Sequence, residues 1–418
     1  MTFIQPLFKK FFDRFGLSFV MVASYFGSGS IFIASQAGVE YGYILLWAVV
    51  LAVLLGVMAQ DMSARLGIFG DTLMGFIRKK LGKKLSLGLA LFLSIGCVAW
   101  TLGLAAAVGM SVELLSGNAI AWQPVAVITV ILAIITGILD YKHIEKAITG
   151  MMILLLLLYI IVAGASSPSL SGIVGGFIPR IPDAGAMLLG AGLLGTTALW
   201  PNFFLESILV RRKGWNSKRH VNHMRKDLFL GYAVGGAITI AIIIVSAAVL
   251  VPAGITELAT FMTPGEALAE VLGDWAKTAF LLGVIAASFN SIVPIMWTVP
   301  FMVLEAIDHP EKEQGTRTFQ AVYAGATLIG VLSPLVPVIT GLSVVEMVVL
   351  FPTFNGVFGL PITAFLLFWA VNDKKTMGKH INSWKLNLIN IVLVLFSTYV
   401  AIKSVRGVLN ALFGGMGA

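Results

Sequence analysis

Charge is scarce in this chain. Only 11% of its 418 residues are Asp, Glu, Lys or Arg, whereas 58% are hydrophobic, and the mean hydropathy is +0.95. Soluble domains carry roughly 25% charged residues, so a water-soluble enzyme, a nucleic-acid-binding protein and a disordered chain are all excluded. Cysteine is represented by Cys97 alone, which excludes a disulfide framework and a thiolate metal cluster. The five histidines (His143, His220, His223, His309 and His380) all fall in expected inner loops, so none is available inside the membrane to relay a proton or ligate a metal. Also missing are a His-Glu-x-x-His pair, paired intramembrane aspartates and a nucleophile with a base, which removes the intramembrane enzymes.

What the chain does have is apolar length. Eleven stretches approach or exceed the roughly 20 residues that cross a bilayer, at about 16–38, 41–64, 85–115, 120–140, 145–165, 184–210, 227–251, 275–305, 318–341, 344–371 and 385–412. The expectation is an all-α polytopic membrane protein, a single transmembrane domain with no cleavable signal peptide before the first span.

The few charges orient it. All but four of the 28 lysines and arginines, the exceptions being Arg180, Lys277, Lys403 and Arg406, fall on one side if the N-terminus is inside. The positive-inside rule then predicts a multi-pass protein of the plasma (inner) membrane, with a cytoplasmic N-terminus and an external C-terminus. The run from Arg211 to Lys226 is either a topogenic loop or a contact for anionic lipid. The partners implied are a small ionic substrate and membrane lipid, with no nucleic acid and no cofactor; nothing in the sequence sets an oligomeric state.

Two spans are interrupted at similar depth. The first contains Tyr25-Phe26-Gly27-Ser28-Gly29-Ser30, and the sixth contains Gly195-Thr196-Thr197-Ala198-Leu199-Trp200-Pro201-Asn202. Such interruptions free backbone groups that the bilayer cannot hydrate, so they occur where they line protein or a water cavity. Either they are a packing glycine stretch and a proline kink, or they are the paired broken helices of a transporter. Their spacing, five spans apart, favours two inverted five-helix repeats, about 16–165 and 184–371, plus an extra helix at about 385–412. Discontinuous helices in such repeats suit alternating access better than a channel.

Beyond this point the sequence resembles the Nramp metal transporters, which have a LeuT-like fold. Gln36-Ala37-Gly38-Val39-Glu40-Tyr41-Gly42-Tyr43 is similar to the family's junction between spans 1 and 2. Ala64-Arg65-Leu66-Gly67-Ile68 resembles its span 2 end, Gly176-Phe177-Ile178-Pro179-Arg180-Ile181-Pro182 the approach to span 6, and Asp373-Lys374-Lys375-Thr376-Met377-Gly378 the loop after span 10. The resemblance implies a substrate site between the broken helices. There the chain departs from the family: Gly27-Ser28-Gly29-Ser30 replaces Asp-Pro-Gly-Asn, and Leu199-Trp200-Pro201-Asn202 replaces Met-Pro-His-Asn. Thr101 and Leu104 stand where the family has an acidic pair in span 3.

A site without carboxylate or thioether holds a transition metal poorly. Helix N-termini and serine hydroxyls favour anions, and Gly-Ser-Gly-Ser-Ile-Phe also resembles the span 1 motif of the amino acid–polyamine–organocation superfamily. The expected cargo is therefore a small anion, bicarbonate or a short carboxylate, moved by symport. The alternative is a divalent metal cation of the Mg2+ or Mn2+ type. The expected substrate-binding residues are Gly27, Ser28, Gly29, Ser30, Thr197, Ala198, Leu199, Trp200, Asn202, Thr353 and Asn355. Ser288, Asn290 and Ser291 in span 8 make Na+ the candidate coupling ion, unless they are packing residues. Glu206 lies four after Asn202, on the same helix face. It lines an inner exit path, where it titrates or attracts a cation, or it pairs with Arg211 or Arg212. Asp61 is expected to pair with Arg65. Trp200 and Phe354 are gate or packing aromatics, and Glu257, Glu266, Glu270 and Asp274 form a solvated outer loop face.

Overall fold

A computed structural model describes residues 26–139, 142–310 and 312–413, excluding the side chains of 142–149, 151, 152, 412 and 413. Lys9, Lys10, Arg14, the beginning of the first expected span with Tyr25, and the side chains of Lys142, His143 and Lys146 lie outside the described residues.

Regular structure among the described residues is entirely helical. The helices are α1 (Ser28–Tyr41), α2 (Leu46–Phe69), α3 (Leu73–Leu115), α4 (Trp122–Ile138), α5 (Lys142–Ala165), α6 (Leu170–Gly176), α7 (Ala184–Thr197) and α8 (Trp200–Arg212). They continue as α9 (Lys218–Val245), α10 (Thr263–Leu272), α11 (Trp275–Ile307), α12 (Arg317–Leu328), α13 (Leu335–Thr340), α14 (Val344–Asn372), α15 (Lys374–Met377) and α16 (Trp384–Phe413). The described part of each of the eleven expected spans falls on one of these or on a consecutive pair. Seven helical stretches among the described residues, with α7 and α8 taken together, are long and apolar enough to cross a membrane. The ninth span is divided into α12, a 3-10 turn and α13, because Pro334 and Pro337 cannot donate to a continuous helix.

The third span starts at Leu73, before the expected 85. The Thr72 hydroxyl caps it by accepting from the Gly75 N–H (3.1 Å), and a positive φ of 79° at Gly82 accommodates a kink. Lys79, Lys80, Lys83 and Lys84 therefore ride on helix rather than loop. His220 and His223 likewise sit on the first turns of α9. The acidic segment from Glu257 to Asp274 is partly the amphipathic α10, with Glu266 and Glu270 exposed and Ala267 and Leu268 buried.

α16 shows how the outside of the molecule is built. Leu388, Leu395 and Ile402 recur every seven residues along it and remain exposed at 63–67%. That stripe is a lipid-facing surface, whereas Asn390 and Ser397 on other faces are buried. Inside, small residues let backbones approach. A Cβ at Gly67 of α2 would lie 2.4 Å from the Ser207 carbonyl of α8, and one at Gly38 of α1 2.5 Å from the Ile243 carbonyl of α9. Helix association in lipid depends on such contacts.

Candidate functional site

At the first-span motif, α1 starts from an extended residue. Gly27 (φ −90°, ψ −177°) precedes α1, and the Ser30 N–H donates to its carbonyl at 3.1 Å. The N–H groups of the first turn otherwise lack acceptors within the helix, and no acidic residue occupies that turn. Ser28 is fully buried and its hydroxyl has no hydrogen-bond partner. Ser30 is buried beside it in sequence.

The sixth-span break lies between α7 and α8. Ala198 (φ −88°, ψ 65°) leaves the helix after its N–H donates to the Leu194 carbonyl at 2.8 Å. Leu199 then starts α8, with Pro201 in the first turn, where a missing N–H costs nothing. The Asn202 N–H donates to the Leu199 carbonyl at 3.1 Å. Thr197 and Asn202 are buried. α7 therefore presents the carbonyl end of a helix, and its dipole, to the break.

Pro352 of α14 brings the two breaks together. A Cβ at Gly29 would lie 2.7 Å from its Cγ, and one at Gly195 2.6 Å from its carbonyl oxygen. Sequence reasoning did not single out this proline. Thr353 itself donates to the Val349 carbonyl of its own helix at 2.8 Å, and its hydroxyl lies 2.8 Å from where a Cβ on Gly192 would be. Trp200 and Asn355 hold each other: the indole Nε1–H donates to the Asn355 amide oxygen at 2.9 Å. The Asn355 amide nitrogen donates to the carbonyls of Gly96 (3.0 Å) and Phe351 (3.1 Å). Their polar atoms thus tie α8 to α14 and α3. Phe354 packs on Phe358, with ring centroids 4.6 Å apart.

Span 8 also reaches the first break. A Cβ at Gly27 would stand 3.0 Å from Ser291 Oγ of α11 and 3.1 Å from Leu104 Cδ2 of α3. Ser291 donates to the Ala287 carbonyl (3.0 Å), Ser288 is fully buried without a partner for its hydroxyl, and Asn290 is half-buried. Thr101 donates to the Cys97 carbonyl of its own helix at 3.0 Å.

Below the breaks, Glu206 is fully buried and neither carboxylate oxygen has a hydrogen-bond partner. The two arginines weighed as its partners are engaged elsewhere: Arg211 donates to the Gly70 carbonyl (2.9 Å), and Arg212 pairs with Glu313 (2.7 Å). The pairing alternative for Glu206 is therefore not the one the fold adopts. Asp61 does pair with Arg65 (2.8 Å) and additionally with Arg225 of α9 (2.6 Å). At the opposite end, Asp183 caps α7 by accepting from the Ala186 N–H (2.8 Å) and also accepts from the Tyr41 hydroxyl (2.8 Å). Those donors hold its carboxyl below the ordinary value.

The profile described as natural resistance-associated macrophage protein-like (Nramp) matches residues 18–406. The divalent metal cation transporter MntH of Yersinia pestis (strain Pestoides F) is 26% identical over 408 residues, covering 94% of each chain. MntH of Aeromonas hydrophila is 29% identical over 308 residues, covering 70% of this chain and 73% of that one. Among solved structures, a variant of the Eremococcus coleocola manganese transporter superposes with a TM-score of 0.78 at 18% identity, covering 98% of this chain and 90% of the other. MhsT in complex with L-phenylalanine gives 0.57 at 14% identity, covering 94% and 98%. The fold is accordingly LeuT-like, two inverted five-helix repeats with an eleventh helix.

These relatives correct one expectation. The cargo argued from the sequence was a small anion such as bicarbonate, moved by symport, and the relatives spanning the chain are divalent metal cation transporters. The anion argument counted only the N-terminus of α1. The break also receives the carbonyl end of α7, which favours a cation. With its family profile matched from residue 18 to residue 406, the chain belongs to the Nramp family.

Proposed function

We propose that this membrane protein moves a divalent cation by alternating access, through the junction of the two helix breaks. The observations carrying this reading are the carbonyl end of α7 at the sixth-span break and the buried Ser28 and Asn202 at the starts of α1 and α8, in a chain whose relatives are named divalent metal cation transporters. All the donors on offer there are oxygen: backbone carbonyls, the Ser28 hydroxyl and the Asn202 amide. Oxygen donors without thiolate or thioether suit hard cations, and Mg2+ in particular retains several waters and few protein ligands. A partly hydrated ion would need less compensation from the protein than a bare one. The site residues of the reading are Gly27, Ser28, Gly29, Ser30 and Thr197 to Asn202, with Thr353 and Asn355 shaping them from α14.

Two further elements belong to this reading. The lysine and arginine distribution supports a cytoplasmic N-terminus and an external C-terminus, and the spacing of the two breaks supports repeats at about 16–165 and 184–371. Na+ is the coupling ion, for which Ser288 supplies the one uncommitted hydroxyl of the span 8 trio.

Mn2+ binding to the purified chain in lipid nanodiscs tests the site. Asn202→Ala is expected to weaken it by about tenfold to a hundredfold, and excess Mg2+ is expected to displace Mn2+ from the wild type. Unaltered affinity in Asn202→Ala would move the site elsewhere.

A further inference from the structure

We infer that the groove between α2, α7 and α16 binds one anionic phospholipid, its acyl chain lying in the groove and its phosphate held by Arg180 and Lys403. The inference is independent of the cation reading, because it concerns the flank of α7 rather than the helix break. The groove is lined by Trp47 of α2, Ile181 before α7, Met187 and Gly190 of α7, and Phe396 and Val400 of α16. Apart from the indole N–H, all of these are apolar. A Cβ at Gly190 would meet no atom within 4 Å, so the α7 wall is set back there. α16 also carries the exposed stripe of Leu388, Leu395 and Ile402, which puts the groove at the margin of the lipid-facing surface.

The polar end of the groove follows from where Arg180 and Lys403 stand. The Trp47 Nε1–H donates to the Arg180 carbonyl at 3.2 Å, which ties this exposed arginine to the groove through its backbone and leaves the guanidinium out of that bond. Phe396, Val400, Lys403 and Gly407 follow one another at steps of four, three and four residues, so they share one face of α16. That face meets the beginning of α7 at Gly407, where a Cβ would stand 3.5 Å from Leu188 Cδ1. Lys403 therefore lies between the groove wall and the level of the first turns of α7, the end of that helix from which Arg180 leads in. It is exposed, with Nζ 5.9 Å from the centroid of the Tyr399 ring. The α16 sequence contains no acidic residue. Asp183, the acid closest to Arg180 in sequence, accepts from the Tyr41 hydroxyl and the Ala186 N–H. An apolar groove topped by arginine and lysine, with an indole at the boundary, matches the chain, phosphate and interfacial region of a phospholipid. Free phosphate would leave the apolar walls unused, and a neutral lipid would leave the two cations unanswered.

Native mass spectrometry of the full-length protein, released from nanodiscs of equal phosphatidylglycerol and phosphatidylcholine, tests the site. Wild type is expected to retain one phosphatidylglycerol in preference to phosphatidylcholine. Arg180→Gln combined with Lys403→Gln should cut that retention about tenfold, to the level of phosphatidylcholine. Lys277→Gln, on α11 and paired with Asp274, should leave it unchanged, and Gly190→Phe, which fills the groove, should lower retention of both lipids. Equal retention of the two lipids by wild type, unchanged retention in the double variant, or the same loss in Lys277→Gln overturns the inference. So does a second copy covering the groove, read as a dimer that Gly190→Phe dissociates, or inorganic phosphate held at Arg180 and Lys403 with no lipid retained.

Discussion

Alanine at Gly195 or at Gly356 is expected to stop transport and lower the melting temperature of the protein. The two glycines face each other where α7 crosses α14. A Cβ at Gly195 would lie 2.6 Å from the Pro352 carbonyl and 2.8 Å from Gly356 Cα; one at Gly356 would lie 2.5 Å from the Ala191 carbonyl and 2.9 Å from Gly195 Cα. The obstructing atoms are all backbone, so no side chain can swing away and the helices must separate. Overpacking of this kind costs about 1–3 kcal/mol, sometimes more. The functional loss should exceed what stability alone explains, because α7 ends at Thr197, two residues after Gly195. Displacing that turn moves the carbonyls proposed to meet the cation. Gly190→Ala is the control: a Cβ there has no atom within 4 Å, so folding and uptake should be preserved. Melting curves and Mn2+ uptake measured on the three variants check both parts.

Asp61→Asn should destabilise the protein by about 3–5 kcal/mol, the usual consequence of leaving a buried charge without its partner. The carboxylate accepts from Arg65 Nε at 2.8 Å and from Arg225 Nε at 2.6 Å, joining α2 to α9. Arg65 also donates to the Asn382 amide oxygen at 2.6 Å, which extends the link to the segment before α16. Of the two arginines, Arg65 is the buried one, its side chain 6% exposed, whereas that of Arg225 is 43% exposed. The loss should therefore come mainly through Arg65. Adding Arg65→Met to Asp61→Asn should restore part of the stability, because the stranded charge is then gone. Thermal melts of the single and double variants in the same lipid decide it; equal melting temperatures for both would mean that the pair is not what is being broken.

Most of the fold was readable from hydropathy and from two irregular motifs. Eleven apolar runs marked the spans because lipid demands continuous helix, and Gly27-Ser28-Gly29 and Pro201 marked the breaks because they interrupt it. The i,i+4 spacing of Asp61 and Arg65 sufficed to pair them. Contacts across the chain were harder to read. Nothing in the sequence shows that Pro352 touches both breaks, that Trp200 and Asn355 bind each other, or that Arg225 shares Asp61, since each joins residues more than 150 apart or helices that are not neighbours in sequence. The cargo was misread for a related reason. Side-chain ligands can be scanned in a sequence, but the carbonyl end of α7 is a backbone feature that appears only once the helix is seen to stop at Thr197. Glu206 was singled out as unusual, yet its lack of a partner depended on where Arg211 and Arg212 went.

Uptake by the wild-type protein tests the central claim most directly. Proteoliposomes carrying it, with an inside-negative potential, should accumulate radiolabelled Mn2+ or Mg2+ in a saturable way, and Asn202→Ala should raise the half-saturating concentration by about tenfold or more. Uptake of labelled bicarbonate with no divalent cation flux, in the same vesicles, would contradict the account.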